Sequence, residues 1–345
     1  MRNKITKIKI LFCIIISLSS CISKNTEITT PPTKGIFEED SVMNLTLKIN
    51  LNKLLTDIGE DRKWHKGSLI WNEKSIQIEV KTRGNFRRNP ENCNFPPLFL
   101  AFDSLSRIGT PFEKYDKIRL VSHCQKDSAT YEQIGLEEYN IYKTYSLFTD
   151  KSVITRLCKI TYQDTENKEP TSTKIAFFVE GTDYSAKRLG VKLVEQTDTI
   201  QYLESNSFLT TQLAVFQFMV GNADWSISNK HNLSILEMPN QDYVAIPFDF
   251  DFAGIIDAPY AGTDPNLGTE SVTERVYRGY CQSDAELLLV LEKFKEKEKE
   301  VKQVWQNLPF QEPQRKAKSL KYIDGFYTII QNKDSIDYYF LKNCR

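Results

Sequence analysis

Four side chains in the second half of the chain could do chemistry together: Asp224, Asn232, Asp249 and Asp251. The first two belong to "GNADWSISNKHN", residues 221–232, and the other two to "IPFDFDFAG", residues 246–254. Residues two apart in a pleated strand share a face. The spacing therefore predicts Asp249 and Asp251 on one face, with Phe248, Phe250 and Phe252 on the opposite, buried face. Two carboxylates this close raise each other's pKa unless a cation sits between them. A hard divalent cation, magnesium or manganese, suits such oxygens. Gly254 is expected to turn the chain away where a side chain would crowd a ligand. Taken alone, the acid pair also admits a simpler reading as a salt-bridged structural pair.

The elements that must position these residues follow from periodicity. Residues 207–221, "SFLTTQLAVFQFMVG", are apolar around most of a helix and so predict a buried one. "NLSILEM" and "YVAIPFDFDF" then read as a hairpin. From 41 to about 180 strands dominate, among them "NLTLKINL", "SIQIEVKTRG", "DKIRLVSHC", "KITYQD" and "TKIAFFVEG", with one helix over 131–148. After a loop at 254–282 the chain reads as two amphipathic helices and a shorter one near 335–342. The run "EKFKEKEKEVK" is a solvated helix face with i,i+4 pairs. The expected fold class is α+β: a two-lobed, atypical protein-kinase-like fold with a β-rich N-lobe (41–180), a helical C-lobe (181–345) and a cleft between them.

A helix, a loop bearing Asp and Asn, a hairpin and then an acid near a glycine is also the order found in protein kinases, where positioning and charge neutralisation carry phosphoryl transfer. The residues match something more specific. "GNADWSISNKHN" followed by "IPFDFDFAG" resembles the signature of the CotH (spore coat protein H) kinase-like family. "VKTRGNFRR", "PPLFLAF", the stretch from "LVSHC" to "KITY", and "FFVEG" resemble its upstream segments, so the likeness runs from about 44 to 281. It implies an atypical secreted kinase that binds ATP and magnesium and can phosphorylate proteins. By position, Asp224 would orient the acceptor hydroxyl, Asn232 would be a loop metal ligand, and Asp249 and Asp251 would hold magnesium against the phosphates. Asn229, five residues after Asp224, competes with Asn232, and His231 is expected to brace the loop.

The nucleotide side is less defined. Lys117 and Arg119 share a strand face, so either could meet phosphates, and Glu137 or Glu138 on the next helix could pair with that cation. Arg83, Arg87 and Arg88 in "RGNFRR" could neutralise phosphate instead or form an exposed turn. Glu180, at the end of "IAFFVE", stands where a hinge would contact adenine. No GxGxxG is present.

The N-terminus reads as an address. Arg2, Lys4, Lys7 and Lys9 precede the apolar "ILFCIIISL" and then "LSSC", as in a secretory signal (1–20) with Cys21 lipidated. Residues 21–40 are polar, with Pro31, Pro32 and Gly35, and suit a flexible tether. The expected location is the bacterial cell envelope, lipid-anchored, on the outer membrane. Loss of four basic residues with the signal turns a balance of 45 against 45 into an excess of acids, and no basic tract points to nucleic acid. Five cysteines remain after Cys13 and Cys21, an odd number, so at least one is free or paired between chains. The partner is an unidentified protein or surface-polymer acceptor. The alternatives are a catalytically silent surface module binding a protein or glycan, and a metal-dependent phosphohydrolase.

Overall fold

Alternation builds the first half of the protein. In β1 (Met43–Ile49) Met43, Leu45, Leu47 and Ile49 point inward, and the same rhythm runs through β3 (Lys74–Thr82) and β4 (Leu98–Phe102). With β2 (His65–Trp71), β5 (Lys117–Val121), β6 (Thr155–Asp164) and β7 (Ser172–Val179) they close a barrel in the order β1–β2–β3–β4–β5–β7–β6. Neighbours are antiparallel except at the closing seam, where β1 runs parallel to β6, Met43 opposite Cys158. Leu47, Leu69, Val80, Leu100, Ile160 and Phe178 fill the interior. The β-rich half is thus a closed seven-stranded barrel. A short helix, α1 (Leu51–Thr56), follows β1, and its Asn50 cap accepts from the Lys53 amide.

The computed structural model describes residues 33–194, 207–240 and 242–345. The signal segment and the lipidation site Cys21 lie outside the described residues. Part of the expected tether does not, and it is folded. Ile36 is 1% exposed, Phe37 meets Tyr115 edge-on, and Arg156 donates to the carbonyls of Ile36, Glu39 and Ser41. An apolar pair and a buried guanidinium dock residues 33–40 on the barrel, and Thr33–Arg345 form one compact unit.

A second core holds the helices. α2 (Ala129–Tyr145) packs on β7 and reaches into it, and α4 (Ser207–Val220) is buried at every residue from Thr210 onward. Phe216, Phe218, Phe294, Trp305, Phe326 and Phe340 lie at its centre, each worth roughly 1.5–3 kcal/mol of burial. Between α2 and α4 stand α3 (Thr182–Leu189) and β8 (Lys192–Leu193). After α4, β9 (Leu233–Glu237) and β10 (Tyr243–Pro247) form the expected hairpin, in a small sheet ordered β10–β9–β8. The long helix expected after 283 is two, α5 (Asp284–Glu296) and α6 (Glu298–Gln306), separated at Lys297. α7 (Pro313–Gln331), α8 (Lys333–Ile336) and one π-helical turn (Asp337–Leu341) complete the chain.

Two disulfides form, Cys93–Cys124 in the buried interior and Cys281–Cys344 at the surface, leaving Cys158 free and buried. Among the described residues no helix is long and apolar enough to cross a membrane.

Candidate functional site

The loop after α4 is built around Asp224. It opens at Gly221 with a φ of +67°, and a Cβ there would meet the Tyr322 hydroxyl at 2.0 Å, so only glycine fits. Asn222 donates to Gln217 Oε1 and accepts from the Asp224 amide. Ser226 and His231 exchange backbone hydrogen bonds of 3.1 and 2.9 Å that fold the loop back on itself. His231 Nε2 then lies 2.8 Å from Asp224 Oδ1, and Asn232 Nδ2 donates to Asp224 Oδ2 at 2.9 Å. Asn232 adopts a left-handed φ of +52° to do so. Asn229 is exposed and bonds to Ser226 Oγ through its own amide, so Asn232 is the asparagine that meets Asp224.

The two acids after β10 converge by a route unlike the predicted pleat. β10 ends at Pro247, and Asp249 has a φ of +63°, which breaks the strand alternation. Its amide donates to Tyr142 Oη at 2.8 Å. The three phenylalanines therefore do not share a buried face. Phe250 is fully buried against Tyr142 and Phe216, whereas Phe248 and Phe252 line the cleft. Gly254 has a different reason from the expected one. A Cβ there would sit 2.5 Å from the Val272 carbonyl and 2.8 Å from Tyr322 Oη, so protein rather than ligand crowds it. Its amide donates to Gly221 O at 3.0 Å, which ties the acid loop to the Asp224 loop.

The cation between the carboxylates belongs to the protein. Arg87 Nη2 lies 2.9 Å from Asp249 Oδ1, its Nε 3.3 Å from Asp251 Oδ2, and its Nη1 3.2 Å from Glu138 Oε2. Glu138 and Asp251 are buried, and burial pushes both carboxyls upward against the pull of Arg87, with the neighbouring acids adding to the rise. Tyr260 Oη donates to Asp251 Oδ2 at 3.1 Å. The sequence expectation for Arg87, a phosphate cation or an exposed turn residue, gives way to a buried guanidinium shared by three acids. It sits in a one-turn 3₁₀ segment, Phe86–Arg88, that carries the barrel's side of the contact.

The other nucleotide-side candidates separate. Arg83 lines the cleft, forms no ion pair among the described residues, and stacks 5.5 Å from the Phe99 ring. Burial pulls its pKa down to about 10, opposed by Asp249. Arg119 lies over Phe248 at 5.8 Å, and burial likewise lowers it. Lys117 is exposed, 5.3 Å from Phe99. Neither strand cation meets a helix glutamate: Glu138 takes Arg87, and Glu137 takes Arg315 at 2.5 Å. Glu180 is 2% exposed, its carboxylate held by Ser185 Oγ at 2.7 Å and Arg188 at 2.9 Å. That carboxylate is committed within the protein and stands outside the cleft lining.

Asp224, His231, Asn232, Asp249, Asp251, Arg83 and Arg87 all line one cleft of about 800 Å³. Its far wall, residues 262–278, was not singled out by sequence. It contributes Asp264, Glu274 and Arg278, whose Nη1 donates to the carbonyl of Ala223. Among the described residues no three His, Cys, Asp or Glu are grouped to hold a metal by themselves. Arg87 engages one oxygen of each acid, which leaves Asp249 Oδ2, Asp251 Oδ1 and Asn232 Oδ1 as donors. That small oxygen set fits magnesium, which keeps waters and shares its shell with substrate phosphates.

No known protein family profile matches the chain, and no curated protein matches it. Among solved structures, one that overlaps it is the Helicobacter pylori proinflammatory kinase CtkA, at 11% identity and a TM-score of 0.38, over 79% of this chain and 92% of that one.

Proposed function

We propose that the protein is an atypical, CotH-like kinase with two lobes, the barrel and the helical part, that transfers the γ-phosphoryl group of ATP to a protein hydroxyl. The observation that supports this best is the convergence of Asp224 with Asn232 and of Asp249 with Asp251 on one cleft that also holds Arg83, which has no ion-pair partner among the described residues. Asp224, held on both oxygens by His231 and Asn232, orients the acceptor hydroxyl and takes its proton as the oxygen attacks the γ-phosphorus, whose bond to the β,γ-bridging oxygen breaks to release ADP. Of the three cations Arg83, Lys117 and Arg119, Arg83 lines the cleft and neutralises phosphate oxygens. Asn232, Asp249 and Asp251 would hold the magnesium, whose chemistry is to offset charge on the phosphates. Arg87 keeps the acid pair and Glu138 fixed relative to one another.

The two disulfides support an oxidising compartment, in line with a lipid-anchored envelope protein attached through Cys21. One observation favours a second reading, a kinase-shaped module that binds without transferring: Arg87 already compensates the acid pair.

Calorimetry of ATP binding with and without magnesium tests the proposal. Binding that requires magnesium, survives Asp224→Ala and is lost in the combined Asp249→Ala/Asp251→Ala variant is expected. Absence of binding by the folded wild-type protein overturns the nucleotide reading. Magnesium-dependent binding with no phosphoryl transfer to any hydroxyl acceptor leaves the silent module.

A further inference from the structure

We propose that Arg278 is a positioning residue for Asp224, and that the Cys281–Cys344 disulfide holds it in place; this rests on the role of Asp224 given above. Arg278 stands in the cleft wall and donates from Nη1 to the carbonyl of Ala223, the residue before Asp224. Among the described residues its guanidinium has no ion-pair partner, unlike those of Arg87, Arg188 and Arg315. Two acids act on it electrostatically, and both are turned elsewhere: Asp264 caps the Asn266 amide at 2.9 Å, and Asp224 is held by His231 and Asn232. The Ala223 carbonyl is therefore what the Arg278 head is fastened to, and through it the backbone carrying Asp224.

The segment bearing Arg278 is itself pinned. Arg345 donates its amide to Gly279 O at 2.9 Å, the Cys281 amide donates to Arg345 O at 3.0 Å, and the disulfide joins Cys281 to Cys344. These three links hold residues 279–281 against the last residues of the chain. The bond is also open to reagents. Cys281 is exposed, and a cavity of about 190 Å³ lined by Cys281, Cys344, Tyr280 and Phe340 adjoins it. Cys93 and Cys124 are 1% and 3% exposed. A small dithiol therefore reaches one disulfide before the other. One thiolate of the dithiol attacks a sulfur of the pair and breaks the S–S bond. Its second thiol resolves the mixed disulfide, so that Cys281 and Cys344 leave as thiols with two electrons and two protons, and the dithiol leaves oxidised.

The test is hydrogen exchange, read by mass spectrometry on peptides spanning 221–232, where the amides of Asp224, Ser226 and His231 are bonded. Arg278→Met is expected to speed exchange there at least tenfold, and Arg278→Lys, which keeps a donor for the carbonyl, to recover most of the protection. Reduction that leaves Cys93–Cys124 intact by mass, or the Cys281→Ser/Cys344→Ser variant, is expected to loosen the same peptides. Exchange within twofold of wild type in Arg278→Met overturns the positioning role. Equal loosening in Arg278→Met and Arg278→Lys marks a general disruption of the wall and overturns it too. Reduction that loosens only 277–281 overturns the role of the disulfide. Exchange is read without nucleotide, and ATP binding is measured separately on the same samples. A failure of the kinase reading is thereby told apart from a failure of this one.

Discussion

Arg87 Nη1 lies 3.2 Å from Glu138 Oε2, and this buried pair joins a turn of the barrel to the helix that enters the other core. The same guanidinium serves Asp249 and Asp251, so its removal leaves three carboxylates crowded together without compensation. Arg87→Ala is expected to cost about 3–5 kcal/mol of stability, measured by urea denaturation. Arg87→Lys should fall between, since one ammonium cannot reach three acids lying in different directions. A cost below about 1 kcal/mol for the alanine variant would show that the acids find water instead.

Asp224 should matter to the reaction and little to nucleotide affinity. Asp224→Ala is expected to lower phosphoryl transfer by about 10²–10⁴-fold, the usual range for a positioned acid or base, with the Kd for magnesium-ATP unchanged within about twofold. A parallel loss of affinity would place Asp224 in the metal shell.

Arg83 forms no ion pair among the described residues, and its free charge faces the cleft. Arg83→Gln should weaken magnesium-ATP binding by about 10–100-fold, equivalent to about 1.5–3 kcal/mol for a charged hydrogen bond. The unfolding midpoint without nucleotide should stay near that of wild type. A fall in that midpoint with no change in affinity would make Arg83 a packing residue over Phe99.

His123 gives the protein an acid-sensitive core. It is 2% exposed, packed on Phe95 at 4.4 Å and Tyr162 at 5.6 Å, its Nδ1 has no hydrogen-bond partner among the described residues, and burial pulls its pKa down to about 3. The folded state refuses a proton that the unfolded chain accepts near pH 6.5, so this contribution is full above that pH and is lost as pH falls toward 3. Between pH 6.5 and pH 5 the loss is about 2 kcal/mol. Denaturation curves at both values, with His123→Phe beside the wild type, check it. An equal acid slope in the variant would assign the effect to other groups.

Legibility in the sequence followed the range of the forces involved. Strand alternation and the apolar α4 are local signals, and both appear where their patterns stand. Asp224, Asn232, Asp249 and Asp251 could be singled out from spacing, and they do meet in one cleft. Their geometry could not be read, because the left-handed turns at Asn232 and Asp249 depend on contacts such as the Tyr142 hydroxyl, far off in the chain. Arg87 looked like one of several turn cations, and only the fold shows that it is buried among acids from two other segments. Arg278 sits in a stretch with no periodicity, and its partner is a backbone carbonyl, which no residue type announces.

The parallel seam between β1 and β6 has a kinetic meaning. β1 pairs with β2 as soon as the next hairpin exists, but Met43 finds its second neighbour only at Cys158. Loop-closure entropy makes so distant a pairing slow compared with the hairpins around it. Until it forms, β1 and β6 present unpaired edges open to other strands, and the growing chain carries the open edge of β1 for over a hundred residues before β6 can cover it.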